Sequence, residues 1–371
     1  MSLPPFLSVV AASRNDDHGG KLLTRMQFFI DGLADQCRRF GLSAELVLVE
    51  WNPPADRAGL DEALDWSSCG PGGLAVRIVR VGRVRHRQFA HSEKLSLYQM
   101  IAKNVGIRRA CGSFVLATNI DILLSDRLAS WLADRKLQPG FFYRVDRFDV
   151  ASDLPAERPP AERLAWCADH VLRVARREGI YVKVKQGANS VYRRAVTRSP
   201  AMAAAAYYEN AFRGSGPFLV RHGHAVLVVA KKAGQRVVRR WRHPLHTNAS
   251  GDFTLMARDN WFALRGYPEF EIYSWHLDGV LIHQAHHRGL QEAALGWPFC
   301  VYHIDHERGS GFTPEGHLDL FRRLDRAHIP RLTDEEFDRL IAVMRRGPGD
   351  HVFNGADWGL AGDRLEEIEV A

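Results

Sequence analysis

The stretch Lys94–Asp121, KLSLYQMIAKNVGIRRACGSFVLATNID, decides how the chain is read. Leu97, Met100, Ile101, Val105 and Ile107 recur at helical spacing, so a helix opening at Lys94 is predicted. Gly112 follows the basic pair Arg108-Arg109, as a helix stop does. Phe114 to Thr118 is a short apolar run of the kind that forms a strand buried on both faces. Asn119-Ile120-Asp121 comes directly after it. In an open α/β sheet, ligands collect beyond the carboxyl ends of strands. A carboxylate with a neighbouring amide at such a place suits a divalent cation carrying phosphate oxygens. The plainer alternative is an Asx turn leading into a helix near Ser125.

Toward the N-terminus, Leu7 to Ala12 reads as a buried strand, followed by a polar loop from Ser13 to Gly20. A helix follows, with Leu22, Leu23, Met26, Phe29, Ile30, Leu33 and Phe40 on its buried side and Gly41 as its stop. Ala44 to Glu50 is a second strand, ended by Trp51-Asn52-Pro53-Pro54. This βαβ unit implies parallel pairing. It carries neither G-x-G-x-x-G nor a Walker A loop. Ala75 to Val81 alternates apolar residues with Arg, a strand with one wet face. The basic run Arg83, Arg85, His86, Arg87 and His91 reads either as a diphosphate clamp or as a solvated loop.

Beyond Asp121 the pattern gives a helix over Asp126 to Lys136 and a strand over Phe141 to Val145. Tyr143 to Asp149 then alternates aromatic and charged groups. Residues 150–242 read as an insertion, with a basic helix around Ala165 to Arg177, strands at Ile180 to Val184 and Ala225 to Ala230, and an alanine-rich piece at 201–206. Phe253 to Ala257 is a strand, and short helices start at Arg258 and Asp278. Cys300 to His306 is a strand running into a Gly/Ser loop. Thr333-Asp334-Glu335-Glu336 is a capping box opening a helix to Arg346, and a tail follows that packs on the core or serves association.

The order helix, K-N-x-G-I-x-x-A-x-G, buried strand, D-x-D-like element resembles the donor half of GT-A glycosyltransferases of the family 2 kind. A second block, F-x-L-M-x-R-x-x-W-x-x-L-x-G-Y-P-E and then an acid opening a helix, resembles their acceptor half. The resemblance implies an α/β GT-A domain over residues 1–329, with a mostly parallel central sheet flanked by helices. Its donor half would cover 1–149, the insertion 150–242 and the acceptor half 243–329, before a helical extension at 330–371. It implies transfer of a sugar from a nucleotide-sugar, a UDP-sugar, to a sugar, lipid or other hydroxyl acceptor, with a bound Mn2+ or Mg2+ and inversion. Ser13, Arg14 and Glu50 take the nucleoside places, and Lys94, Asn104, Asn119 and Asp121 lie along the donor. The first acid of D-x-D is Asn119 here, which leaves Asp121 as the metal ligand. A late histidine completes the cation site: His303 is the first choice and His306 the second. Asp278 matches the catalytic base, with Asp252 and His276 as further candidates near it. Each has a plainer alternative: an ion pair with Asp16 or Asp17 for Arg14, a solvated strand end for Glu50, a helix N-cap for Asp278.

Composition sets the outer bounds. The 371 residues carry 46% hydrophobic and 25% charged residues, ordinary for a globular chain that can bury a sizeable core. A net charge of +7 and a pI near 9.3 suit anionic partners such as nucleotide phosphates or an acidic membrane face; no nucleic acid is expected. Five cysteines, an odd number without C-x-x-C, fit a reducing cytoplasm. Neither a leader nor an apolar run long enough to cross a bilayer is evident, so a cytoplasmic protein, peripheral at most on the inner membrane face, is expected. Two other functions compete. A sugar-phosphate nucleotidyltransferase would need a Gly-rich loop with Arg and Lys after the first strand, which Ser13 to Gly20 lacks. A non-enzymatic protein binding anionic lipid or nucleic acid would explain the charge but not acids and histidines at strand ends.

Overall fold

Strand β1 (Leu7–Ser13) is buried along its whole length, and its side chains divide between two cores. Leu7, Val9 and Ala11 face one core, Val10 and Ala12 the other, as a period of two requires of a strand covered on both sides. Helix α1 (Leu22–Phe40) lays Met26, Phe29, Ile30, Leu33 and Cys37 on the first core and stops at Gly41. Strand β2 (Ala44–Trp51) pairs parallel with β1 and splits its side chains in the same way. The structure, a computed structural model, describes residues 4–70, 73–186, 189–196, 245–306, 317–347 and 351–371.

The chain continues through α2 (Leu60–Ala63), β3 (Ala75–Val81), α3 (Arg83–His86), α4 (Gln99–Arg109), β4 (Phe114–Thr118), β5 (Ile122–Leu124), α5 (Asp126–Ala133) and β6 (Phe141–Val150). Next come α6 (Pro160–Asp169), β7 (Val171–Arg176), β8 (Gly179–Gln186), β9 (Asn189–Val196) and β10 (Phe253–Ala257). The last elements are α7 (Arg258–Leu264), α8 (Leu277–His287), β11 (Gln291–Ile304), α9 (His317–Arg326), α10 (Asp334–Arg346) and β12 (Glu366–Glu369). One sheet of 12 strands runs β12-β3-β2-β1-β4-β10-β6-β7-β8-β9, with β11 beside β6 and β5. The block β3-β2-β1-β4 is parallel. Strand β10 enters antiparallel between β4 and β6, and β11 pairs parallel with β6. The result is the expected α/β sheet with helices on both faces.

Helix α4 is enclosed on all sides: every residue from Met100 to Ile107 is buried, Lys103 and Asn104 included. Gly106 makes this possible. A Cβ there would stand 2.5 Å from Val10 Cγ1 and 3.1 Å from Val49 Cγ2, so only glycine lets the helix lie this close to β1 and β2.

Several boundaries differ from the sequence reading. The central helix opens at Gln99, because residues 91–94 form a turn that leaves Lys94 exposed. The basic helix expected around 165–177 is instead the end of α6 and then β7, which turns into β8 through the two residues Arg177 and Glu178. Val171, Val174 and Ala175 gain more from packing on β6 than from a helical turn. The basic run after β3 contains a buried His86 that accepts from Trp51 Nε1 at 2.9 Å, and Arg85 pairs with Asp363, so these two are structural, while Arg83 and Arg87 are exposed. The capping box at Thr333 and Glu336 is present. The extension after it is not purely helical: Trp358 and Leu360 enter the second core and β12 pairs antiparallel with β3. The strand expected at 225–230 and the alanine-rich piece at 201–206 lie outside the described residues.

One helix position invites a stability test. Gly32 lies in the interior of α1, and a Cβ there would meet only Leu123 Cδ2, at an ordinary 3.7 Å. Gly32→Ala is expected to stabilise the protein by about 0.5–1 kcal/mol through lower backbone entropy in the unfolded chain. A urea melt with an unchanged or lowered midpoint would contradict that account of the site.

Candidate functional site

The topology brings several chain ends to one edge of the sheet. Strands β1, β4, β6 and β11 all point their carboxyl ends there, and the antiparallel β10 begins there. The register fixes the neighbours. Phe253 pairs with Thr118, so the residue before β10, Asp252, meets the residue after β4, Asn119. His303 pairs with Asp149, so the last turns of β11 and β6 lie side by side.

At this edge Asp121, His303 and His306 form a cluster whose ligand atoms lie within 4.8 Å of one another. Asp121 Oδ2 is 3.8 Å from His303 Nε2 and 3.4 Å from His306 Nε2. Two donors that share an ion at about 2.1 Å each stand about 3–4.2 Å apart, so the set fits a divalent cation with positions left for other oxygens. His303 Nδ1 donates to Asp149 Oδ1 at 3.0 Å, since a carboxylate can only accept. That bond turns Nε2 toward Asp121, the outer-partner arrangement typical of metal-binding histidines. Asp149 is itself held by Arg147 at 2.9 Å and Arg173 at 3.0 Å.

The charges are strongly coupled. Burial opposes ionisation of Asp121, but His303, His306 and Arg25 more than offset it and hold the carboxyl well below the usual range. Burial also disfavours charge on His303, yet Asp121 and the bond to Asp149 outweigh it and raise the imidazole. Arg25, from the first turns of α1, is buried, with Nη1 4.0 Å from Asp121 Oδ2.

A second group lies next to the first. Asn119 Nδ2 donates to Asp252 Oδ1 at 2.6 Å, and its Oδ1 accepts from Gln99 Nε2 at 2.9 Å. Asp252 Oδ2 pairs with Arg147 Nη1 at 2.6 Å. Asp278, in the first turn of α8, accepts three hydrogen bonds: Ser250 Oγ and Gly251 N–H on Oδ2, both at 2.7 Å, and Gly279 N–H on Oδ1 at 2.9 Å. Lys103 Nζ donates to the Gly251 carbonyl at 2.6 Å. Full burial brings Lys103 down to about 8, against the pull of Asp252, Asp278 and Asp121.

The sequence-derived residues therefore separate. Asp121, His303, His306, Asn119 and Asp252 meet at the edge, and Asp278 abuts them through residues 250 and 251. Ser13 ends β1, buried, with Oγ on Met26 Sδ at 3.4 Å, and Arg14 pairs with Asp16 at 3.4 Å, as its plainer alternative had it. Three of the others are held by partners within the fold, and the fourth is exposed. Glu50 is fully buried, with Oε2 on Arg80 at 2.8 Å and Oε1 accepting from Leu60 N–H, and so is not presented to a nucleoside. Asn104 spends its amide on the backbone of Tyr267 and on Glu269, tying α4 to the Gly266-Tyr267-Pro268-Glu269 turn. His276 stacks on Phe337 at 4.6 Å and pairs with Asp334, joining α8 to α10. Lys94 is exposed in the turn before α4.

Four residues went unassigned in the sequence: Arg25, Lys103, Arg147 and Asp149. Lys103 is the first residue of the K-N-x-G motif, and the alternation of Tyr143 to Asp149 put Arg147 and Asp149 on one strand face; nothing in the sequence singled out Arg25.

No protein-family model matches the chain, and no curated protein matches it. Solved structures that resemble it include GalNAc-T7 with UDP, GalNAc and Mn2+, at 11% identity and a TM-score of 0.41 over 92% of this chain and 55% of that one. Residues 1–349 of S. aureus TarS in complex with UDP-GlcNAc align at 11% identity and a TM-score of 0.38, over 91% of this chain and 71% of that one. The chain thus spans about half the length of the GalNAc-T7 chain. At these scores the reading of the site rests on the site's own residues.

Proposed function

We propose that the chain is a GT-A glycosyltransferase that moves a sugar from a UDP-sugar to a hydroxyl acceptor with inversion, using a divalent cation. The observation that carries this reading is the set Asp121, His303 and His306 at a sheet edge where parallel strands end, with His303 oriented by Asp149. The UDP-sugar class rests on the resemblance of the stretches around Lys94–Asp121 and Phe253–Asp278. A Mn2+ or Mg2+ held by these three side chains would supply positive charge to the departing diphosphate. Asp149 keeps His303 in the tautomer that can ligate. Asn119, in place of the first acid, orients Asp252 instead of ligating.

Asp278 is the general base of this proposal. An acceptor hydroxyl is a poor nucleophile near pH 7, and a carboxylate within hydrogen-bond reach takes its proton as attack proceeds. Asp252 is the less suited of the two acids, since Arg147 and Asn119 engage both of its oxygens. Asp278 meets only neutral donors in its hydrogen bonds and is partly exposed. Among the described residues no helix is long and apolar enough to cross a membrane.

Incubation with a panel of nucleotide-sugars and Mn2+ tests the reading. Slow release of the nucleoside diphosphate from one of them, lost on chelation, is the expected result. Release of inorganic pyrophosphate from a nucleoside triphosphate and a sugar phosphate would replace it with a nucleotidyltransferase. No turnover of any donor would remove the enzyme reading.

A further inference from the structure

Arg25 stands out among the unassigned residues. Its residue exposure is 4%, yet among the described residues its Nε and Nη1 have no hydrogen-bond partner. Only Nη2 is bonded, to the His18 carbonyl. A buried guanidinium N–H without an acceptor is costly, so such groups are normally satisfied. The unbonded side faces the cation cluster: Nη1 lies 4.0 Å from Asp121 Oδ2, beyond hydrogen-bond reach.

The loop that holds Arg25 is built onto the same cluster. Gly19, at φ 75°, lies so close to the His306 ring that a Cβ would stand 2.6 Å from Nδ1. His18 and His306 have ring centroids 6.0 Å apart. Loop 14–20, the start of α1 and the end of β11 thus form one wall, and Arg25 is its buried positive charge. A metal ion at Asp121 would share its anionic ligand with this guanidinium. Two like charges beside one carboxylate are favourable only when further negative charge arrives. A diphosphate brings that charge and oxygen acceptors in the planar arrangement that guanidinium donors match.

We propose that Arg25 binds the leaving diphosphate of the donor directly, as a second, protein-borne cation beside the metal. The inference rests on the transferase reading above and adds a catalytic residue to it. Arg25 and the metal then bind antagonistically in the absence of nucleotide and cooperatively in its presence.

Calorimetric titration of uridine, UMP and UDP, each with and without Mn2+, and of Mn2+ alone, compares the intact protein with Arg25→Gln and Arg25→Lys. Loss of one or two charge-assisted hydrogen bonds predicts a fall of about 10- to 100-fold in UDP affinity for Arg25→Gln. Uridine affinity should be unchanged, and Mn2+ alone should bind more tightly. Arg25→Lys should keep part of the UDP affinity, because it keeps the charge but not the planar fork. Equal losses for uridine and UDP, unchanged UDP binding, or weaker binding of Mn2+ alone would overturn the proposal. Should Arg25→Gln fail to fold, the Lys variant decides: a loss confined to UDP supports the role, and proportional losses for uridine and UDP overturn it. An intact protein that binds UDP no better than uridine overturns this inference and the transferase reading together. An intact protein that discriminates them, with both variants unchanged, overturns this inference alone.

Discussion

Asp121→Asn is expected to abolish Mn2+-dependent binding of UDP while leaving uridine binding in place. Asp121 is the shared contact of the cluster, with His303, His306 and Arg25 all directed at Oδ2. Losing even an outer partner of a metal ligand typically costs about 10- to 100-fold in affinity. Removing the sole carboxylate of the ligand set should exceed that, so a loss of more than about 10²-fold in Mn2+ affinity is expected by the same measure. The amide keeps the volume, which isolates charge from packing. It leaves two imidazoles and a guanidinium without their shared anion, so some loss of stability accompanies it; a urea melt measures that part separately. Calorimetry showing unchanged Mn2+-dependent affinity in a folded variant would take Asp121 out of the site, and the proposed mechanism with it.

Asp278→Asn is expected to turn over at least about 10²-fold more slowly with donor binding intact, since a general base contributes about 10²- to 10⁴-fold. The structure adds a complication that the measurement must handle. Three donors converge on the Asp278 carboxylate: Ser250 Oγ, Gly251 N–H and Gly279 N–H. An Asn presents one oxygen and one NH2, so at least one of these donors would face another donor. Some loosening of residues 250 and 251 is therefore expected along with the lost base. Ser250→Ala is the control, because it removes one hydrogen bond to Asp278 and keeps the carboxylate. A large loss of turnover in Asp278→Asn beside a small one in Ser250→Ala supports the base. Equal losses would make Asp278 a brace for the loop. Product with retained anomeric configuration would exclude the inverting reaction.

The central stretch was legible because two independent signals coincide there. The helical period of Leu97 to Ile107 meets an apolar run too short to be anything but a strand, and a polar tripeptide at a strand end is where sheets place ligands. His303 and His306 were candidates only through the resemblance, which implies a late histidine in the cation site. Glu50 and Asn104 were misread because residue type at a strand end or in a motif does not reveal a partner. The counter-ion of Glu50 is Arg80, and the backbone group that Asn104 holds belongs to Tyr267, 163 positions away. Arg25 was invisible for the opposite reason. An arginine near the start of an amphipathic helix reads as solvated, and only the approach of loop 14–20 to His306 buries it. Asp149 needed the register between β6 and β11, which no local pattern encodes. Strand β8 was expected over Ile180 to Val184, but β7 was missed because arginines within Val171 to Arg176 mask an alternation that the sheet neighbours enforce.

The outermost strand has a consequence for synthesis. The edge of β3 is closed by β12, with Val79 opposite Glu367 and Ile78 opposite Ile368, and Arg77 and Arg80 pairing with Glu367 and Glu366. The partner of a strand that ends at Val81 therefore begins only at Glu366, far later in the chain. At about 5–20 residues per second, the nascent chain carries a row of unpaired backbone groups for roughly 15–60 s before β12 is made to cover them. During that interval the open edge is a template for any neighbouring nascent chain. Yield in a heterologous host should therefore depend on translation rate, independently of how stable the finished molecule is.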